Sequence, residues 1–371
     1  LNLDIEFKLQ LALKQWPQIW TYNRDTLNLS NFYKNYDKSI REKLKNKFIN
    51  RSKCKLEEII TSLLFELLPI CYLEGFKYLE KLANEQPWPN DPKFIFTSNN
   101  YEADEIFKFW CATKVEKGVK YFVGQHGNRY GISKNFSEQI EETTSDKFIT
   151  WGYKGKIAQH IPAFVLKTAG DKKEKFNFNG GLLLIQQHLP HRYETWDTDA
   201  EFVKYFDDQK EFVKMLATNP KKKLVIRLHH AHNIFRWNEM KRWIDFDPSI
   251  NIDNGSVNIK KLISKNKLIV HSYNSTGTLE TLSKNIPTLI FWQNKLDIIE
   301  ENAIPNFQLL IDAGILHLSA KSVANKVNEI WDNAENWWKQ KDVQDARKEF
   351  CDIYARKSKN PVFNLKEILL S

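Results

Sequence analysis

Between Leu268 and Trp292 the chain reads LIVHSYNSTGTLETLSKNIPTLIFW, an order of residues that few folds accommodate. Leu268-Ile269-Val270 and Pro287-Thr288-Leu289-Ile290-Phe291-Trp292 are short apolar runs, each predicted as a buried strand. Between them a polar turn, Ser272 to Thr278, leads into a helix over Thr278 to Ser283, with Leu279 and Leu282 three apart on one face. Hydroxyls and a glycine at a strand-to-helix junction gather N–H and O–H donors at the positive end of a helix, where an anion is favoured. The same hydroxyls also serve as ordinary helix caps, which need no ligand. Glu280 adds to the ligand reading, because one turn inside the helix a carboxylate reaches a sugar hydroxyl of a nucleotide whose phosphate rests on the turn.

The preceding chain supplies more of the same alternation. Leu182-Leu183-Leu184-Ile185 suits the centre of a parallel sheet, and Lys223 to Leu228 is a second strand, with a helix over Glu201 to Leu216 between them. The first of these strands exits into a polar loop, Gln186 to Asp199, and the second into His229-His230-Ala231-His232. Three histidines in four positions invite a metal reading. However, His229 and His230 point opposite ways if the strand continues, and no carboxylate or cysteine stands at ligand spacing. A phosphate or acidic sugar is the better partner for His229 and His232, with Arg227 beside them.

Further upstream, a strand at Lys93 to Thr97, a helix over Tyr101 to Lys117 and a strand at Tyr121 to Val123 imply another parallel sheet. That last strand ends in GQHGNRYG, where glycines flank Gln125 and His126 and admit a ligand to the backbone. The acidic run Glu138, Glu141 and Glu142 reads as a solvated face. Residues 1 to 85 are predicted as helices whose intervening lysine-rich positions form a solvated basic face. Near the other end, Trp337 to Ala355 is predicted as one periodic helix, with one of the two adjacent tryptophans packing across to the first domain.

A chain of 371 residues is long enough for two domains. The expected division is an N-terminal domain over 1–170, a second over 171–335, and a C-terminal helical segment over 336–371. The 55 basic residues outnumber 46 acidic ones, for a net charge of +9, which favours anionic partners without choosing among nucleotides, acidic sugars, nucleic acid and a membrane surface. Cys54, Cys71, Cys111 and Cys351 are scattered, which indicates a reducing compartment rather than a disulfide framework. Ile59 to Leu73, the most apolar segment, is broken by Glu66 and Pro69 and falls short of the roughly 20 residues a membrane span needs. No signal peptide is visible, and a start at Leu1-Asn2 reads as a piece of a longer, multidomain polypeptide.

Taken as a set, PKFIFTSNNYEADEIFKFW, GQHGNRYG with SDKFITWGY, STGTLETLSKNIPTLIFW, AGILH, and WW with VQDARKEFC resemble the bacterial surface-polysaccharide transferases related to the retaining β-Kdo transferases. The resemblance spans about Trp88 to Ala355. It implies an α/β fold of GT-B type, two Rossmann-like domains facing across a cleft, with a helical N-terminal region and a C-terminal helix packing back. It also implies transfer of Kdo or a similar acidic ketose from a CMP donor to a glycan acceptor, lipid-linked, at the cytoplasmic face of the membrane with peripheral contact there.

By position, Ser272, Ser275, Thr276, Gly277, Thr278 and Glu280 would bind the CMP part, with Arg227, His229 and His232 near the phosphate. Gln125 and His126 would line the facing side, His126 as base for the acceptor hydroxyl or as a contact to the sugar carboxylate. Retention by double displacement calls for a carboxylate nucleophile, for which Asp199 and Asp197 are the candidates. No cofactor or metal is expected where basic side chains and helix ends neutralise the phosphate, although Asp197-Thr198-Asp199 has the spacing of a metal site. The competing readings are a CMP-sialic or other nonulosonic acid transferase, a sugar-nucleotide epimerase, and a nucleic-acid-binding protein. Against the last, the basic residues are spread along the chain and no RNA or DNA module is present.

Overall fold

A computed structural model describes residues 3–13, 37, 39–136, 138–171, 177–189, 202–234, 236–292 and 296–371. The chain divides into two compact units: Gln15–Val123, and the remainder, Leu1–Lys14 with Gly124–Ser371.

In the smaller unit, β1 (Phe94–Thr97) and β2 (Lys120–Gly124) run parallel, Phe94 opposite Lys120 and Thr97 opposite Val123. The helix predicted over Tyr101 to Lys117 is two, Asn100–Ala103 and Glu105–Val115. Asp104 separates them because its carboxylate accepts from the Phe107 N–H at 3.0 Å and so starts a new helix. Trp88 packs on Trp110, ring centroids 5.1 Å apart. Helices Ser39–Ile49 and Lys55–Leu67 are joined by Arg41, which donates to Glu74 at 2.9 Å and to the carbonyls of Phe65 and Leu68.

In the larger unit, β3 (Lys147–Thr150) pairs in parallel with β4 (His160–Pro162). Six further strands form one parallel sheet: β5 (Gly181–Ile185), β6 (Leu224–Arg227), β7 (Asn251–Asp253), β8 (Asn266–His271), β9 (Thr288–Phe291) and β10 (Leu316–His317). Their spatial order is β10-β9-β8-β5-β6-β7. The chain runs outward from β5 to β7, returns, and runs outward the other way from β8 to β10. The reversal lies between β5 and β8, and in such sheets the crevice beyond the carboxyl ends of the strands on either side of the reversal is where a ligand fits. All six residues of β8 and all four of β9 are buried, as the continuous apolar runs require of strands covered on both faces. The α/β class with parallel sheets expected from the sequence is what forms.

The C-terminal helices pack back onto this unit. Helix Lys341–Tyr354 buries Val343, Ala346, Phe350 and Tyr354. From it, Arg347 donates to the Leu282 carbonyl at 3.1 Å, satisfying the end of helix Thr276–Ser283. The predicted single helix from Trp337 is instead broken, and Trp337 and Trp338 are both buried in the short helix Ala334–Trp338. Trp338 donates to Asn285 Oδ1 at 2.9 Å, while the Trp337 ring receives Lys326 at 5.7 Å, so two neighbours accommodate what a single core face would not.

One buried acid costs the sheet stability. Glu239 opens helix Glu239–Phe246, is 4% exposed, and neither of its oxygens has a hydrogen-bond partner, so burial pushes its carboxyl up to about 7. One turn on, fully buried Trp243 donates to Gln186 Oε1 at 2.9 Å, at the exit of β5. With the folded value above the unfolded one, the native state holds the extra proton between pH 4.5 and about 7, and stability falls as pH rises through that window. Glu239→Gln should therefore raise the unfolding free energy measured with urea at pH 8 by on the order of 3 kcal/mol, and leave it unchanged near pH 4.5.

A second prediction concerns Gly152, whose φ is +138° and where a Cβ would stand 2.8 Å from the carbonyl oxygens of Asp352 and Ile353. Gly152→Ala should cost about 2–4 kcal/mol in urea unfolding followed by tryptophan fluorescence, because it combines a forbidden backbone with loss of the helix contact.

Candidate functional site

The floor of the crevice is a knot of hydroxyls between β5 and β8. Ser272 Oγ donates to the Ile185 carbonyl at 2.9 Å and meets the Tyr205 hydroxyl at 2.7 Å. That hydroxyl in turn accepts from the Gln187 N–H at 2.8 Å. Ser272 is buried and holds the strand exits together; it is not on the cavity wall.

The turn that follows is built as the sequence suggested. Ser275 is the N-cap of helix Thr276–Ser283 and accepts from the Thr278 N–H at 3.1 Å. Thr278 is buried behind it, its hydroxyl 3.1 Å from that of Ser275. The polar atoms these two offer are thus used within the cap, and the groups left for a ligand are the opening N–H donors of the helix, the Thr276 hydroxyl and Gly277. His271 lies beneath, fully buried, with Nε2 3.2 Å from the Thr281 hydroxyl; burial pushes its pKa down to about 3, so it is neutral. A Cβ at Gly277 would come 3.1 Å from the His271 ring.

Above this turn opens a cavity of about 530 Å³. Its lining combines apolar Ile185, Ile259, Ile263 and Ile286 with charged Lys167, Lys260, Lys284 and Glu280. Lys167 pairs with Glu280 at 2.8 Å. Lys284 and Lys260 share Asp171 at 2.8 and 3.1 Å, and although burial opposes it, their hydrogen bonds hold that carboxyl below its ordinary value. The sequence reading missed all three lysines. Nothing local marks them, since each is one of many lysines and only the fold gathers them.

The histidine exit of β6 is arranged differently from the extended strand assumed in the sequence reading. The strand ends at Arg227 and the chain turns, so that His229 stacks on His188 at 4.0 Å and lies 4.1 Å from His230. Gly255, at φ +95°, lets this turn pass: a Cβ there would stand 2.6 Å from His230 Cα. Burial, then the neighbouring histidines and Arg227, push His229 down to about 4, so near neutral pH it is a neutral donor rather than a cation. Its Nδ1 accepts from the Ala231 N–H at 3.1 Å, which places the ring proton on Nε2. His232 is buried, its Nδ1 2.9 Å from the His229 carbonyl, and does not reach the cavity wall. Arg227 contributes its stem to the wall, but its guanidinium is spent on Asp253 and on the Val257 carbonyl at 2.8 Å.

The GQHGNRYG turn stands against the hydroxyl turn. Asn128 donates to Asn274 Oδ1 at 2.9 Å and accepts from the Thr276 hydroxyl at 3.4 Å, and it forms part of the cavity wall. Gln125 is a buried latch: its amide donates to the Gly127 carbonyl and accepts from the Trp151 N–H, both at 2.7 Å, away from the cavity.

His126 Nδ1 is 3.2 Å from the Tyr130 hydroxyl, which donates to Glu141 at 2.5 Å. With its single proton given to Glu141, the hydroxyl accepts from His126 Nδ1–H, which leaves the lone pair on Nε2; His126, expected on the facing side, is not among the residues that line the cavity. The acidic run is therefore not one solvated face: Glu138 is exposed, but Glu141 and Glu142 are buried, the first accepting from Tyr130 and the second from Tyr153 at 2.9 Å, with His160 Nε2 2.8 Å away outside hydrogen-bond geometry. Asp197 and Asp199 lie outside the described residues. Among the described residues no group of three or more His, Cys, Asp and Glu side chains is placed to hold a metal, and no helix is long and apolar enough to cross a membrane.

No curated protein matches the chain. Solved structures to which it is similar include TarM, 14% identical, with 80% of this chain and 57% of TarM covered at a TM-score of 0.46. Another is the wall teichoic acid polymerase TagF, 10% identical, with 79% and 84% covered at 0.43. A third is the S. aureus MnaA–UDP complex, 12% identical, with 98% and 92% covered at 0.46. A family model matches residues 1–369, nearly the whole sequence, and the chain accordingly belongs to the LIC12162 family of transferases.

Proposed function

We propose that this transferase is a glycosyltransferase that moves an acidic ketose, Kdo or a close relative, from a CMP-activated donor to a bacterial surface glycan. The observation that carries the reading is the composition of the cavity above the hydroxyl turn. The apolar isoleucines suit a nucleobase, the Glu280 carboxylate suits ribose hydroxyls, and helix N–H donors with three lysines suit a phosphate and a sugar carboxylate together. The sequence resemblance supplies the identity of the donor, and the three lysines, set against Glu280 and Asp171, leave a net positive charge that favours an anionic ligand.

In this reading Thr276, Gly277 and the N–H groups behind them receive the phosphate, His229 Nε2–H adds a neutral donor, and Lys284 and Lys260 offset the charge that develops on departing CMP. That division of labour requires no metal. An aspartate, Asp197 or Asp199, displaces CMP at the anomeric carbon. The acceptor hydroxyl then gives its proton to His126 Nε2 and displaces the aspartate, which restores the original configuration. Tyr130 and Glu141 position His126 by fixing its Nδ1 proton. The acceptor is a lipid-linked glycan met at the cytoplasmic side of the membrane.

The test is differential scanning fluorimetry with CMP, CDP and UDP, followed by acceptor-dependent CMP release from CMP-Kdo generated in place. Stabilisation by CMP with release on adding acceptor supports the reading; stabilisation by UDP alone would replace the donor, and none by any nucleotide would overturn it.

Two variants separate binding from chemistry. Glu280→Gln should weaken CMP about tenfold, roughly 1.4 kcal/mol, with no change in the melting temperature of the free protein. His126→Ala should lower turnover by about 100-fold or more at unchanged CMP affinity, while Tyr130→Phe should lower turnover less and also leave CMP affinity unchanged.

A further inference from the structure

Helix Lys55–Leu67, in the unit Gln15–Val123, turns its apolar stripe away from the protein. Leu56, Ile59, Ile60, Leu63, Leu64 and Leu67 recur at spacings of three and one, which places them on one face of a helix. In a surface helix that face is normally the buried one. Here all six are between 46% and 80% exposed, and the residue the helix buries is Phe65, which stands opposite the stripe and packs against Phe48 with ring centroids 5.7 Å apart. The orientation is fixed from the neighbouring helix, since Arg41 holds the Phe65 and Leu68 carbonyls. The solvated face that the sequence reading took to be basic is thus aliphatic.

The basic residues are concentrated just before it. From Lys43 to Lys55 the chain carries Lys43, Lys45, Lys47, Arg51, Lys53 and Lys55 with no acidic residue among them. Lys43, Lys47, Arg51 and Lys53 are exposed, whereas Lys45 is paired with Glu66 at 2.9 Å and Lys55 with Glu58 at 3.1 Å.

We propose that helix Lys55–Leu67 is a membrane-docking element that lies in the plane of a bilayer surface bearing anionic headgroups. Its leucines and isoleucines enter the acyl boundary, and the cationic segment Lys43–Lys55 contacts the headgroups. An exposed aliphatic stripe continuous with a polybasic segment is the combination an interfacial helix uses, apolar burial for depth and positive charge for attraction. At thirteen residues the helix is too short to span the hydrocarbon core. A second copy of the chain fits less well, because a self-complementary pairing would bring two acid-free basic segments onto one interface. The inference does not rest on the transfer chemistry proposed above, and its test does not measure turnover.

The test is co-sedimentation of the full chain with vesicles of phosphatidylethanolamine and phosphatidylglycerol, against vesicles of phosphatidylcholine alone. The expected result is at least tenfold stronger partitioning to the anionic vesicles, lost at high salt. Ile60→Ser with Leu63→Ser, and separately Lys43→Glu with Lys47→Glu and Lys53→Glu, should each lower that partitioning at least tenfold. Because every substituted side chain is exposed or flanks solvent, the circular dichroism spectrum and the thermal shift with CMP should match the parent. Failure of the parent chain to sediment, or equal sedimentation with both vesicle types, would overturn the proposal. So would a doubled mass in light scattering that the serine variant reduces to the monomer while vesicle binding is unaffected; that result would assign the stripe to a second copy.

Discussion

The arrangement on which the larger unit depends is the parallel pairing of β5 with β8. Because the chain leaves β5 in one direction and β8 in the other, the sheet reverses its order between them, and a crevice forms beyond their carboxyl ends. Ser272, Tyr205 and the Ile185 and Gln187 backbone close its floor with hydrogen bonds of 2.7 to 2.9 Å. A sheet edge that would otherwise expose polar backbone becomes a rigid base. The helix that starts at Thr276 points its donors into the opening, and its far end is fixed by Arg347 from the C-terminal helix. The crevice is therefore held from both sides by segments far apart in sequence.

Electrostatics divide the site by burial. His229 and His271 are both driven neutral by desolvation, so they contribute directed N–H or acceptor groups and no charge. Positive charge comes from Lys167 and Lys260, which remain near water, and from the more covered Lys284, with Glu280 and Asp171 fixing them. Fixed but solvent-facing cations suit an anionic ligand that must be released after reaction, since a fully buried cation would bind it at a much larger desolvation cost.

Buried acids play two separate parts. Glu141 and Glu142 are satisfied, and each organises a chain of side chains: Glu141 through Tyr130 to His126, Glu142 to Tyr153 and His160. Glu239 is unsatisfied, and burial alone pushes its carboxyl up. A protein that keeps such a group accepts lower stability at neutral pH, a pattern more common near functional sites than elsewhere.

Local signals in the sequence determined the strands and helix of the 268–292 stretch: strand Asn266–His271, cap Ser275, helix Thr276–Ser283, strand Thr288–Phe291. Each follows from a run of apolar residues or a hydroxyl next to a helix start, and such preferences act over a few residues. The hydroxyl turn was legible for the same reason, whereas the transferase class came from the resemblance of several blocks taken together. Only the tertiary structure decided that Arg227 serves Asp253 and that Gln125 latches Trp151. It likewise decided that Glu141 and Glu142 are buried, that Lys167, Lys260 and Lys284 meet at one rim, and that helix Lys55–Leu67 faces outward. Those outcomes depend on which distant group supplies a partner, and periodicity, which fixes the face of a helix that is apolar, carries no information about what that face will meet.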